Sequence, residues 1–82
     1  MEEEVGKITH YYDKIGVAIV ELHGNLKRGD RISIKGKNTN FEQQVQSIQI
    51  EHINVDEANK GDTIGLKVDQ PVREGDTVYK VF

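Results

Sequence analysis

Two Gly-Asp corners punctuate this chain, Gly29-Asp30 and Gly75-Asp76, and each opens a run that alternates apolar and polar residues. The first lies in Leu26-Lys27-Arg28-Gly29-Asp30-Arg31-Ile32, the second in Val72-Arg73-Glu74-Gly75-Asp76-Thr77-Val78. Glycine at the bend permits a positive φ, and the aspartate can cap the turn with its carboxylate. A period of two between such turns specifies strands, and no stretch sustains a helical period. Gly61-Asp62 supplies a further turn of the same composition.

Read along the chain, the pattern predicts six strands. Val5 to Tyr12 and Ile15 to Leu22 form the first two. Arg31 to Lys35 alternates with Ile32 and Ile34 facing in and Arg31, Ser33 and Lys35 facing out. Gly36 to Asn40 is a polar loop. Phe41 to His52 reads as one long strand, with a bulge near Gln46-Ser47 that turns Val45 and Ile48 to the same side. Asp56 to Gly61 reads as a loop or short helical turn. Asp62 to Val68, with Ile64, Leu66 and Val68 inward and Gly65 outward, and Thr77 to Phe82 complete the set.

Eighty-two residues make one domain, residues 1–82, with residues 1–4 as a flexible acidic start. A chain this short has a modest core, and closing the sheet would remove its exposed edges. With no cysteine, disulfides and thiolate metal sites are excluded, which fits a reducing compartment. No run approaches the roughly 20 apolar residues of a membrane span. Met-Glu-Glu-Glu has the opposite charge from a signal peptide, so a cytoplasmic location is expected.

The net charge of −3 argues against generic nucleic-acid binding, but it is unevenly spread. Residues 27–37 hold Lys27, Arg28, Arg31, Lys35 and Lys37 against Asp30 alone, while the flanking segments are acidic. This basic stretch is the candidate contact for RNA or a protein partner. Its bland alternative is a solvated face whose lysines protect a sheet edge.

Catalytic signatures are missing. Ser33 and Ser47 sit in no nucleophile elbow. His10, His23 and His52 show no metal-ligand spacing. Asn59-Lys60-Gly61-Asp62 matches a guanine-reading string, but no phosphate loop accompanies it. Arg28-Gly29-Asp30 matches an adhesion tripeptide by the coincidence of its corner. The expectation is a chain that is not an enzyme and holds no cofactor or metal.

Taken in order, Val5-Gly6-Lys7-Ile8, Gly16 to Val20, Gly24-x-Leu26-x-x-Gly29-Asp30, Val45-x-Ser47-Ile48, Val55-x-x-Ala58-x-x-Gly61-Asp62-x-x-Gly65-Leu66 and Val72-x-x-Gly75-Asp76-x-Val78 resemble the second domain of translational GTPases such as elongation factor Tu. The resemblance implies a closed six-stranded Greek-key-like barrel, standing without a GTPase domain. It implies a non-catalytic module that engages the ribosome, RNA, a tRNA end or a translation-related protein. The family's tRNA-end pocket falls on Gln49, His52 and Thr63, none of which keeps the family's charge or amide. A similar barrel ends some collagenase-like peptidases. The alternative expectation is therefore a protein-interaction subunit of a separately encoded enzyme.

Overall fold

Alternating residues form strands throughout the computed structural model, which describes residues 1–82 and contains no helix. The strands are β1 (Glu2–Tyr12), β2 (Val17–Leu22), β3 (Leu26–Lys27), β4 (Arg31–Lys35), β5 (Asn40–Gln44), β6 (Ile48–Ile50), β7 (Ile53–Val55), β8 (Glu57–Ala58), β9 (Thr63–Lys67) and β10 (Thr77–Val81). The all-β class is as expected; the strand number is not. The segment read as one strand to His52 is cut twice, once at residues 45–47 and once by a two-residue turn at Glu51-His52. Glu57-Ala58 adds a short strand that pairs with Leu26-Lys27. No helix is long and apolar enough to cross a membrane.

Eight strands form one antiparallel sheet in the order β5-β4-β10-β1-β2-β9-β6-β7. Chain connectivity forces this sheet to curl. Six strand spacings separate β5 from β6, about 29 Å if the sheet were flat. Yet only residues 45–47 join Gln44 to Ile48, a reach of at most about 14 Å. The closed barrel expected from the sequence is not formed, however, because no ladder joins β5 to β6, β7 or β9. The reason lies in residues 45–47. The Val45 amide donates to the Asp30 carbonyl at 2.8 Å, and its carbonyl accepts from Gly29 at 2.8 Å. Those groups satisfy the first corner instead of a neighbouring strand.

A side chain seals the resulting gap. Gln43 on β5 is 4% exposed. Its Nε2 donates to the carbonyls of Lys67 at 2.9 Å and Gln44 at 3.2 Å, and its Oε1 accepts from the Asp69 amide at 2.7 Å. Beneath it, Ile8, Val20, Ile34, Leu66 and Val78 belong to a single buried apolar cluster. Val45 and Ile48 both join that cluster, as the bulge reading required. Ser33, expected to face solvent, is buried, and its register partners are Glu42 and Tyr79 on the adjoining strands.

Three corners share one geometry. Gly29, Gly61 and Gly75 have φ of 94°, 93° and 92°. The amides of Lys27, Asn59 and Arg73 donate to the carboxylates of Asp30, Asp62 and Asp76 at 2.9, 2.8 and 2.9 Å. Each aspartate amide returns a bond to the carbonyl three residues back, at 3.1, 3.0 and 3.1 Å respectively. Positive φ at the third position is the type II arrangement that glycine favours. Asp76 also fills the space where a side chain on Gly36 would stand.

Glu2, Glu3 and Glu4, expected as a flexible start, lie in β1 opposite Val81, Lys80 and Tyr79. The ladder supplies their backbone with partners that composition alone does not reveal. The Phe82 amide donates to the Met1 carbonyl at 2.7 Å, so the two ends of the domain are adjacent.

Candidate functional site

The basic stretch lies on β3, the first corner, β4 and the loop that follows it. β4 is interior, flanked by β5 and β10, so its charges do not guard an edge. Carboxylates hold three of the five side chains. Arg28 meets Asp56 at 3.1 Å, Arg31 Nε donates to Glu42 at 3.0 Å, and Lys35 Nζ donates to Glu2 at 2.7 Å. The last pair spans β10, with the Lys35 ammonium 5.5 Å from the centre of the Tyr79 ring. Its hydrogen bond to Glu2 raises the Lys35 pKa above the ordinary 10.5. Lys27 and Lys37 are exposed and have no carboxylate partner. The row is thus a set of surface ion pairs with two free ammonium groups.

A second site lies on the outer face of the sheet. In register, His10, Ile19, Gly65, Gln49 and Asn54 form one row across β1, β2, β9, β6 and β7. Gly65 leaves a gap in that row. A cleft of about 480 Å³ opens over it, and Gln49, His52 and Thr63 all line it. Gln49 Nε2 donates to Asn54 Oδ1 at 3.1 Å. Val17 and Ile19 supply apolar walls. Tyr12 and Ile15 stand on the rim, 49% and 59% exposed. Lys67 fixes that rim by donating Nζ to the Ile15 carbonyl at 2.7 Å.

The opposite rim is the β6–β7 turn. Glu51 and His52 have φ of 51° and 66°, the left-handed region at both central residues of a two-residue hairpin. This type I′ geometry matches strand twist but favours Asn and Gly. Neither residue signals a turn, which is why the strand reading runs through them to His52.

Ion-pair chemistry elsewhere is sparse. His10 Nδ1 stands 3.3 Å from Glu74 Oε2, and its ring meets Tyr12 edge-on at 4.5 Å. No three His, Cys, Asp or Glu side chains converge.

Solved structures with this architecture define its fold. The C-terminal domain of a protein named as a U32 peptidase from Geobacillus thermoleovorans superposes with a TM-score of 0.91, at 24% identity, covering 98% of this chain and 93% of that one. Its selenomethionine form gives 0.88 at 24% identity, covering 93% of this chain and 96% of that one.

Curated relatives are closer in sequence. Over 77 residues the chain is 47% identical to an uncharacterized protease of Methanocaldococcus jannaschii, covering 93% of this chain and 19% of the relative. Over 78 residues it is 38% identical to a collagenase of Porphyromonas gingivalis, covering 93% of this chain and 22% of the relative. The chain therefore spans about a fifth of the length of these relatives. No protein-family model matches it.

These findings correct two expectations. The resemblance to the second domain of elongation factor Tu gives way to similarity with proteases and with a peptidase C-terminal domain. The shared pattern of corners and bulge specifies a strand arrangement, and fold does not carry function with it. The expectation of a chain that is not an enzyme also gives way, since the relatives are named as a protease and a collagenase. The alternative expectation, a link to collagenase-like peptidases, fits them better.

Proposed function

We propose that this domain is the β-structured accessory portion of a U32-type peptidase, in which it binds polypeptide for the hydrolytic machinery. The observation that supports this best is 47% identity to a protease along 77 residues, with the match confined to 19% of that relative. The TM-score of 0.91 to a U32 peptidase C-terminal domain supports the same assignment. Cytoplasmic residence is part of the proposal, supported by a chain without cysteine.

Two surfaces are available for such binding. The Lys27 to Lys37 row is largely neutralised by carboxylates, which suits a protein neighbour better than a polyphosphate backbone. The Gly65 cleft suits a chain segment.

The test replaces the matching 78-residue segment of the Porphyromonas gingivalis collagenase with this chain and measures gelatin hydrolysis. Deleting the segment is expected to raise KM about tenfold with a smaller fall in kcat, the signature of lost binding that is uniform along the reaction. The chimera is expected to restore KM. Unchanged KM and kcat on deletion would overturn the proposal.

A further inference from the structure

The geometry points to the Gly65 cleft as a docking site for an extended polypeptide segment that sets an aliphatic side chain over Gly65 and a Lys or Arg beside Glu51. The choice of polypeptide rests on the peptidase reading; the choice of residues rests on the cleft.

Gly65 is the first observation. Nothing in the fold requires glycine there. Its φ is not positive. A Cβ would meet Val17 Cγ1 at 3.5 Å and Gln49 Cβ at 3.8 Å, ordinary contact distances. By contrast, a Cβ on Gly6 would stand 2.7 Å from Val20 Cγ1. Glycine inside a strand weakens it, and such a residue marks a place where another group approaches closely. The space over Gly65 is therefore kept open at the expense of the strand.

Two further departures from local preference surround the same cleft. Glu51 and His52 hold left-handed backbone that L-residues disfavour. Tyr12 and Ile15 remain exposed on the other rim. Local rules fail together where a site is being shaped.

The lining selects the occupant. Val17 and Ile19 offer an apolar wall to an aliphatic side chain. Oε1 of Gln49 and the Thr63 hydroxyl have no partner within the domain and can accept main-chain N–H groups. Glu51 is the one carboxylate in the lining, and no Lys or Arg lines it. The ammonium of Lys67, two residues along β9 from Gly65, is spent on the Ile15 carbonyl. The cleft therefore favours a cationic chain and disfavours phosphate.

The experiment titrates the full 82-residue chain with two blocked hexapeptides, Ser-Gly-Leu-Lys-Ser-Gly and Ser-Gly-Leu-Glu-Ser-Gly, followed by amide NMR. The Leu-Lys peptide is expected to shift the amides of Gln49, Thr63 and Gly65 and to bind about tenfold more tightly than the Leu-Glu peptide. Gly65→Val is expected to weaken it about tenfold without lowering Tm, and Glu51→Gln to abolish the preference for Lys. No shift at these amides at millimolar peptide, equal affinity for both peptides, or unaltered binding by Gly65→Val would overturn the inference. So would the same amides responding to a hexanucleotide RNA and not to peptide. Peptide binding that survives alongside a collagenase indifferent to segment deletion would sink the peptidase role and leave the cleft assignment standing.

Discussion

The backbone amide of Asp69 donates to Oε1 of Gln43 at 2.7 Å, across a gap that no strand ladder spans. Gln43 also donates to the Lys67 carbonyl, so one buried amide replaces the ladder that would have closed the sheet. Gln43→Leu strands these groups without partners and is expected to lower unfolding free energy by about 2–3 kcal/mol. Urea denaturation reads this directly. A loss below about 0.5 kcal/mol, the range of ordinary surface changes, would show that the seam is held otherwise.

Gly36 and Gly65 are expected to respond oppositely to alanine. A Cβ on Gly36 runs into the Asp76 carboxylate, which also holds the Arg73 amide at 2.9 Å. Overpacking of this kind costs about 1–3 kcal/mol. Gly65→Ala meets only ordinary contacts and is expected to stabilise the strand by roughly 0.5–1 kcal/mol. Thermal melts of the two variants compare them.

Among the three corners, Asp76 is the buried one, at 5% exposure. Removing its carboxylate leaves the Arg73 amide unpaired in a sheltered place, whereas Lys27 and Asn59 can turn to water. Asp76→Ala is expected to cost about 1–3 kcal/mol, and Asp30→Ala or Asp62→Ala about 1 kcal/mol or less. Equal losses at all three would indicate that burial does not set the difference.

The β6–β7 turn is expected to tighten when given residues that favour its backbone. Glu51→Asn with His52→Gly relieves two left-handed side-chain conflicts and should add about 1–2 kcal/mol of stability. Differential scanning calorimetry measures the gain. The same pair should weaken peptide docking, since it removes the Glu51 carboxylate.

Lys35 provides the pH-dependent prediction. Its folded pKa is raised above 10.5 by the Glu2 carboxylate, so the ion pair contributes fully below that value. The contribution is lost as pH rises through the folded pKa. Titration of the Lys35 Cε resonance should give a midpoint above 10.5, returning toward 10.5 in Glu2→Gln. A midpoint insensitive to Glu2 would refute the pair.

Much of the strand pattern was legible because period-two alternation is local. Ile32, Ile34, Ile64 and Leu66 face the core as read. That Val45 and Ile48 both turn inward also followed from their spacing, although a break in the strand at residues 45–47, not a bulge, brings them there. What depended on distant partners was not legible. Glu2 to Glu4 look like a solvated tail until β10 arrives to pair with them. Gln43 looks like an exposed edge residue until the curled sheet brings Lys67 beside it. Glu51-His52 hides a turn because its residues oppose the backbone they adopt.

Gln49, His52 and Thr63 teach a different lesson. The three positions that a misplaced family resemblance picked out line one cleft, because the strand arrangement alone sets their proximity. Their chemistry had to be judged from Gly65, which the strand pattern turned outward, and from Glu51, which no motif singled out.

The Phe82 amide rests on the Met1 carbonyl at 2.7 Å, and β1 and β10 run side by side at the middle of the sheet. Residues 1 and 82 thus meet beside the central pair of strands. A short linker joining residue 82 to residue 1, with the chain reopened in the loop after Lys35, would preserve every ladder. The order in which these strands are synthesised is, in this sense, independent of the object they build.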